Sequence, residues 1–408
     1  MSGHPRLIGI AARLYFLCVA ALIPIIRPAM PANTAIFDYP NLAFMGLSGL
    51  YLLFYRKLTF RLLAPLGVIV FASLAATVNS EHVSTNMMTL AQELYLFAFL
   101  TVLFNMIESE ADMLFLLRCW FLMAAVEGVM LLSELTANVA VRARGTFENP
   151  NMASSYLGVS VFLVVVPRIV PGMALRLLVF APILLGVIAT KSMSALLGVC
   201  AGGAVLAAIH WTRATAKERR RLAAAGGLTV AAAAVVLPGV LSTHNYANRL
   251  DDSAGGRNLI WEAGMESFLH NPLGVGIGPA GFQYTKVISG GPFKGTTRKE
   301  LHSDYLSFLV ERGVFGFLGL LMFLGSIALM LWRCLTAARD RPSLFMAMAL
   351  SGMFLFSCID ALSHEVLHYR HVWLALALAV AQERLVRLAV VSRAKAAWRA
   401  APGAAPAA

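Results

Sequence analysis

Charged residues are scarce in this 408-residue chain. They make up 13% of it, whereas soluble globular domains contain about 25%. Hydrophobic residues make up 59%. Apolar runs of about 18 or more residues, each long enough to cross a hydrocarbon layer of roughly 30 Å, recur along the whole sequence. The composition therefore excludes an ordinary soluble domain and predicts an integral membrane protein.

Cysteines and metal-ligand motifs are also few. The five cysteines all lie in or at the ends of apolar runs, so the sequence predicts neither a disulfide framework nor a zinc site in a loop. Asp251-Asp252 is an acidic pair in a polar loop, and such pairs are usually solvated. The sequence thus predicts no metal site and no cofactor.

Twelve apolar runs predict about twelve transmembrane helices in one all-α domain, residues 1–408. The runs are 7–26, 39–55, 60–79, 87–107, 113–134, 153–170, 173–190, 193–211, 222–242, 303–332, 343–363 and 370–390. Short connections between most of them favour antiparallel helix pairs in one bundle. The first run lacks a clean cleavage pattern and is interpreted as a retained helix. Residues 393–408, which are rich in alanine, are predicted to form a cytoplasmic tail.

Positive charge is distributed unevenly between the predicted loops. Nineteen of the 33 Lys and Arg residues lie in segments on the side of the amino terminus, and the short loops on the opposite side hold five. Because positive residues concentrate on the cytoplasmic side of membrane proteins, we predict that both termini are cytoplasmic.

One predicted outer segment, residues 243–302, is much longer than the other loops. About 60 residues is too long for a bare connection in a compact protein, which indicates a functional loop. Within it, residues 255–269 place Leu259, Ile260, Ala263 and Phe268 broadly on one side, as in an interfacial helix. We therefore predict a long loop that contains short helices.

Cations accumulate at the predicted outer loops. They are Arg142, Arg144, Lys191, Arg257, Arg298 and Arg370. A guanidinium group can donate two parallel hydrogen bonds to phosphate oxygens, so cations from separate loops fit a ligand that carries a diphosphate. The alternative is that these side chains bind lipid headgroups or face water.

His302 precedes the tenth apolar run. A neutral imidazole there could accept the proton of a hydroxyl group, and the alternative is a structural histidine at a helix start. Glu311 lies on the opposite face of a continuous helix and roughly 13 Å deeper, which argues against its orienting His302. As a carboxylate within the membrane it remains a candidate.

Four sequence elements occur in the order found in a known family. They are Arg142-Ala-Arg-Gly145-Thr-Phe-Glu-Asn149-Pro-Asn151, Ser192-Met-Ser-Ala-Leu-Leu, Arg257 and Trp261 with Pro272-Leu-Gly-Val-Gly276, and His302-Ser-Asp-Tyr-Leu with Glu311-Arg-Gly313 and Gly316. Together they resemble the O-antigen ligase and polymerase superfamily of bacterial membrane glycosyltransferases. Two positions depart from its pattern: Ser303 stands in place of the usual asparagine, and Met193 in place of an arginine, whose charge Lys191 could supply.

The resemblance implies a GT-C-like fold and a metal-independent glycosyltransferase in the bacterial inner membrane, with a periplasmic active site. Its donor would be undecaprenyl-diphosphate-linked O-antigen, and its acceptor lipid A-core. Breaking the anomeric bond to a diphosphate develops negative charge, which arginines can stabilise. The implied roles are donor-diphosphate binding by Arg142, Arg144, Lys191 and Arg257, catalysis by His302 and Arg257, and support by Arg298, Arg370, Glu311 and Asn151.

Other functions stay open at the level of sequence. O-antigen polymerases and protein O-oligosaccharyltransferases share the motifs and differ in their acceptor. Protein-directed relatives usually carry an extra soluble region after the last helix, and none is predicted here. The ligase therefore ranks first, the polymerase second and the protein-directed enzyme third. A transporter of an anionic lipid or solute is the alternative from another class, although transporters commonly show paired repeats or broken helices.

Overall fold

A computed structural model describes residues 4–26, 35–55, 58–137, 142–221, 223–224, 244–278, 281–282, 284–288 and 295–400. The helices with defined bounds are α1 His4–Leu22, α2 Asp38–Tyr55, α3 Leu63–Val78, α4 Val83–Met106, α5 Glu110–Ala137, α6 Pro150–Val161, α7 Met173–Ala189, α8 Met193–Arg213, α9 His244–His270, α10 Asp304–Ala337, α11 Arg341–Asp360 and α12 Arg370–Ala400. Short 3-10 turns follow α6 and precede α12, at Phe162–Val165 and Val366–His368.

The helices follow the predicted apolar runs. Eleven of the twelve runs overlap a helix, and the ninth, 222–242, lies outside the described residues except for 223–224. Among the described helices, α4, α5, α8, α10 and α11 are long and apolar enough to span a membrane, and α1, α3, α6 with its 3-10 turn, and α7 are shorter apolar helices. These helices support the prediction of an integral membrane protein, and the count of twelve spans stays a prediction.

The outside of the bundle is apolar. Phe54 and Tyr55 are each 78% exposed, and Leu178 is 69% exposed. A large surface of such apolar side chains is unfavourable in water, whereas in a bilayer it would contact the equally apolar lipid tails. Ionisable groups such as Glu127, Arg312 and Asp360 are buried inside instead, which is the arrangement expected in a bilayer.

The predicted outer loops meet at one end of the bundle. Arg370, at the start of α12, forms an ion pair with Asp38, at the start of α2, with Nη2 2.5 Å from Oδ2. The backbone N–H of Asp304, at the start of α10, donates to the carbonyl of Ala361, just after α11 (3.0 Å). We call this the outer end.

The predicted inner loops meet at the opposite end. Arg168 forms an ion pair with Glu110 at 2.6 Å, and Arg61 lies 3.8 Å from Glu383. The alternation of the apolar runs thus sorts these loops to two ends as predicted. That the outer end faces away from the cytoplasm rests on the charge distribution and stays a prediction.

Helix α10 is broken at Gly313, whose φ of 67° and ψ of −166° are not helical. The segment after α9 fills the break. The backbone N–H of Gly276 donates to the carbonyl of Glu311 (3.2 Å), and that of Val314 donates to the carbonyl of Pro272 (3.0 Å). Unpaired backbone groups are costly in a membrane, and these hydrogen bonds satisfy the groups at the break. The Pro272–Gly276 element and the Glu311–Gly313 element therefore form one structural unit.

The long outer segment differs from its prediction. Instead of short helices only, it contains the 27-residue helix α9 and an antiparallel hairpin of β1 Tyr284–Ile288 and β2 Gly295–Lys299. The strands are rich in Thr, Val and Ile, which favour extended backbone, whereas the prediction considered only helical periodicity. Of the residues predicted to share one side of a helix, Ile260 is buried and Leu259 is 53% exposed. At the carboxyl end, α12 runs through Ala400, so residues 393–400 of the predicted tail are helical.

Candidate functional site

Arg142 lies at the outer end beside the turn that contains Lys191. Its Nε donates to the carbonyl of Thr190 (2.8 Å), and its Nη2 donates to Oδ1 of Asn151 (2.6 Å). Lys191 has a φ of 53°, in the left-handed region that non-glycine residues seldom adopt. These contacts place two of the predicted donor-binding cations, and Asn151, side by side.

Two carboxylates of α5 hold the Arg142 loop in place. Glu127, which is 2% exposed, accepts hydrogen bonds from the backbone N–H (2.9 Å) and the hydroxyl (2.8 Å) of Thr146. Glu134 accepts from the backbone N–H groups of Arg144 (2.8 Å) and Gly145 (3.1 Å). Gly145 has a φ of 56°, and a Cβ on it would collide with Glu127. The conformation of Gly145 and Thr146 is therefore constrained by the buried carboxylate of Glu127.

We expect Gly145→Ala to lower the melting temperature of the purified protein more than Gly172→Ala. Both glycines have a positive φ (56° and 79°), so alanine carries a backbone cost of about 1–3 kcal/mol at either position. Only at Gly145 does a Cβ meet Glu127, because at Gly172 nothing lies within 4 Å. Equal melting temperatures for the two variants would show that the contact with Glu127 does not constrain the loop.

Asp360, at the end of α11, connects the Ser-Met-Ser element to this end of the bundle. It is fully buried, and its Oδ1 accepts from the hydroxyl of Ser194 (2.9 Å) and from Nδ1 of His364 (2.8 Å). Its Oδ2 has no hydrogen-bond partner among the described residues. A carboxylate that is buried in this way needs compensating charge or donors nearby.

Arg257, on α9, is influenced by the charge of Asp360. Its side chain is half-buried, and burial lowers the pKa of its guanidinium, whereas the negative charge of Asp360 acts in the opposite direction. Nearby on α9, Nε1 of Trp261 donates to the carbonyl of Leu301 (2.9 Å), and Ile260 packs against the same leucine. The Arg-to-Trp element therefore fixes α9 beside the segment that leads into His302.

His302 lies between Leu301 and the amino-terminal cap of α10. Its φ is 52°, and strained non-glycine residues of this kind concentrate at functional sites. The next residue, Ser303, caps α10 by accepting from the backbone N–H of Leu306 and donates to the carbonyl of Ala361, both at 3.4 Å. His302 is thus held near the carboxyl end of α11, where Asp360 lies.

Arg144 and Arg370, two of the predicted site cations, differ from Arg142 in their surroundings. Arg144 is exposed, and its Nη1 donates to the carbonyl of Glu148 (3.4 Å). Arg370 donates to the buried carboxylate of Asp38 through Nε (3.1 Å) and Nη2 (2.5 Å), so much of its charge is compensated within the protein. Arg298 belongs to β2, where its backbone pairs with Thr285, and its side chain lies outside the described residues.

Glu311 lies with the broken part of α10. Its Oε2 accepts from the backbone N–H of Gly278 (3.0 Å) and lies 3.5 Å from Nη1 of Arg312. Arg312 in turn forms an ion pair with Glu93 on α4 and donates from Nε to the hydroxyl of Ser73 on α3 (3.2 Å). Through these contacts Arg312 joins α10 to α3 and α4, and Glu311 joins α10 to the segment after α9.

The sequence reasoning missed Asp360 and its partners Ser194 and His364. Cations at outer loops stand out in the sequence, whereas Asp360 lies within an apolar run. Asp360 lies in the predicted span 343–363, and an ionisable residue inside a span is by itself a reason to suspect function. In the described parts of the chain, no group of three or more His, Cys, Asp or Glu residues is placed to hold a metal ion.

Comparison with known proteins gives one family. Residues 178–321 match the model of the family described as O-antigen ligase. The matched range contains Lys191, Arg257, His302 and Gly313, but not the Arg142 element. A search of curated proteins found no match. The match over residues 178–321 supports the superfamily that the motifs predict.

Proposed function

We propose that this member of the O-antigen ligase and polymerase superfamily transfers undecaprenyl-diphosphate-linked O-antigen polysaccharide to lipid A-core, as a GT-C-like, metal-independent glycosyltransferase. The active site would be the outer end of the bundle, on the periplasmic face of the inner membrane. Members of the family are glycosyltransferase-like enzymes. The donor, the acceptor and the side of the membrane are parts of the proposal.

The observation that carries the proposal is the set of contacts around Asp360. Ser194 donates to it from the first turn of α8, and the negative charge of Asp360 acts on Arg257 of α9. The backbone of Asp304 joins Ala361, and this brings His302 close. The Ser-Met-Ser element and the His302 element, which are far apart in the sequence, therefore both contact the carboxyl end of α11. In this proposal the diphosphate and the hydroxyl bind there.

The chemistry follows from the charges. When an acceptor hydroxyl attacks the anomeric carbon, the bond between this carbon and the diphosphate oxygen breaks, and the electron pair remains on the diphosphate. Arg142, Lys191 and Arg257 would stabilise that charge without a metal, in surroundings shielded from water. His302 would accept the hydroxyl proton.

The test is transfer by the purified protein in EDTA. Wild type is supplied with lipid-diphosphate-linked glycan and lipid A-core, and product is followed by its shift in gel mobility. Formation of the lipid A-core conjugate at an undiminished rate in EDTA is the expected result. A rate that falls in EDTA and recovers with added Mg²⁺ would contradict the metal-independent mechanism.

Other products would point to other functions. Extension of the glycan on its own lipid carrier would favour the polymerase, and glycan on a protein hydroxyl would favour the protein-directed enzyme. Movement of the donor across vesicles without any glycosidic product would favour the transporter. The broken α10 could suggest a transporter, but the carbonyl of Glu311 at the break accepts from Gly276 instead of facing a path for solutes.

A further inference from the structure

Arg176 is a buried arginine at the inner end of the bundle, opposite the proposed active site. It lies near the start of α7, shortly after the loop that contains Arg168. It is 8% exposed, and its Nε and Nη1 have no hydrogen-bond partner among the described residues. A guanidinium stays charged in proteins, so its burial without partners is unfavourable. A bound anion would satisfy these nitrogen atoms.

The guanidinium of Arg176 is directed towards the amino-terminal end of α7. Side chains in helices point back towards the preceding turn. Accordingly, Nη2 of Arg176 donates to Sδ of Met173, the first residue of the helix (3.2 Å). A thioether is a weak acceptor. The side chain of Met173 is flexible and largely exposed, so it can move aside for a stronger acceptor.

The start of α7 also favours anions. Its cap is Gly172, which offers no side-chain hydrogen bond, and the first turn of this described helix contains no acidic residue. The first N–H groups of a helix have no partner within it, and together with the helix dipole they favour a bound phosphate. The neighbouring Arg168 is already paired with Glu110 (2.6 Å). Arg176 and the helix start therefore combine two features of a phosphate site.

The surface around this site is apolar, which favours a lipid over a free phosphate ion. Leu175, Leu177 and Leu178 of α7 are exposed. In a bilayer such side chains contact lipid chains, and the end of an apolar helix lies near the headgroups. Basic pockets between helices on the cytoplasmic side are known to bind anionic headgroups. A phospholipid would use the charge and the apolar surface together.

We propose that Arg176 and the first turn of α7 bind the phosphate of an anionic phospholipid in the predicted cytoplasmic leaflet. The phosphate takes the place of the Met173 thioether at the guanidinium, and the lipid chains lie along the exposed leucines. The site is independent of the proposed transfer reaction. It anchors at the inner leaflet a helix whose other end leads into Lys191.

Lipid binding to the full-length purified protein tests this site. Dioleoylphosphatidylglycerol is titrated into protein in a neutral detergent, and bound lipid is measured by native mass spectrometry. We expect Arg176→Gln to weaken the tightest binding about 10-fold, the loss expected for one charge-assisted hydrogen bond. The matched control, Arg220→Gln, removes an exposed charge from a predicted inner loop and should leave this affinity unchanged. Wild-type affinity in Arg176→Gln, or equal losses in both variants, would overturn the proposal.

Met173 offers a test that keeps Arg176 and remains informative if Arg176→Gln does not fold. Met173→Glu places a carboxylate where the thioether lies, and this carboxylate pairs with Arg176 and with the helix dipole. We expect a higher melting temperature without lipid and binding of phosphatidylglycerol that is about 10-fold weaker. The neutral Met173→Gln should bind nearly as wild type does. Wild-type affinity in Met173→Glu would contradict a phosphate site at Arg176.

Two competitors identify what is bound. Dioleoylglycerol has the same chains without the phosphate, and inorganic phosphate has the charge without the chains. At equal concentration neither should displace phosphatidylglycerol from wild type. Displacement by dioleoylglycerol would show that the chains alone are bound, and displacement by inorganic phosphate would show a simple anion site. Either result would overturn the assignment to a phospholipid.

Discussion

Replacing His302 with asparagine is expected to lower glycan transfer by about 100-fold or more, because a positioned general base contributes about 10²–10⁴ to a rate. Asparagine is the informative substitution. His302 has a φ of 52°, and asparagine tolerates the left-handed region better than most residues but cannot accept the proton. The measurement is the rate of product formation at saturating donor and acceptor, together with the melting temperature.

The matched control is His270→Asn. His270 is an exposed histidine at the carboxyl end of α9, and it should tolerate the change without loss of transfer. If His302→Asn transfers at the wild-type rate, His302 is not the base. If its maximal rate is normal and only the affinity for the donor falls, His302 positions the donor instead of accepting the proton.

Gly313→Val is expected to cause a large loss of stability. The φ of 67° and ψ of −166° at Gly313 lie in a region that is essentially restricted to glycine. A Cβ there would also collide with the carbonyl oxygen of Pro272. Backbone strain and overpacking together predict a cost of roughly 3 kcal/mol or more. The measurement is the melting temperature and the fraction of protein that elutes as a single species in detergent.

Gly325→Ala is the control for this prediction. Gly325 lies in the same helix, and a Cβ on it would meet nothing within 4 Å. Alanine is more favourable than glycine within a helix by up to about 1 kcal/mol, so this variant should be as stable as wild type or slightly more stable. A similar loss in both variants would show that the interlock at Gly313 has no special role.

Much of the fold was predictable from the sequence because hydropathy and element order determine it. Apolar runs placed most of the helices, although α6 ends at Val161 before its run does and α12 continues to Ala400 beyond its run. The ninth run lies outside the described residues except for 223–224. The motifs also predict which loops hold the site, and this stays a prediction. The contact between Arg142 and Thr190 follows from two motifs whose loops were both predicted at the outer end.

Other features could not be derived in this way. The break at Gly313 lies inside the predicted span 303–332, directly after Glu311 and Arg312. These charges mark the position as unusual, but they do not indicate that the helix breaks there. The partner of Arg370 is Asp38, a residue more than 300 positions away, and a single sequence contains no information on that pairing. Asp360 was visible as a carboxylate in a span, but only the fold shows that Ser194 and His364 bind it.

The interlock between the segment after α9 and the break in α10 has a consequence for biogenesis. The break lies about 14 Å along α10 from Asp304 by helical rise, so a stretch of the outer loop must enter the depth of the bilayer. This stretch can do so only after α10 has been inserted, because the backbone N–H of Gly276 in the stretch donates to the carbonyl of Glu311 in α10. Completion of α10 and docking of the loop that carries Arg257 should therefore occur as one cooperative late step, and a chain that stalls before it would be inserted but inactive.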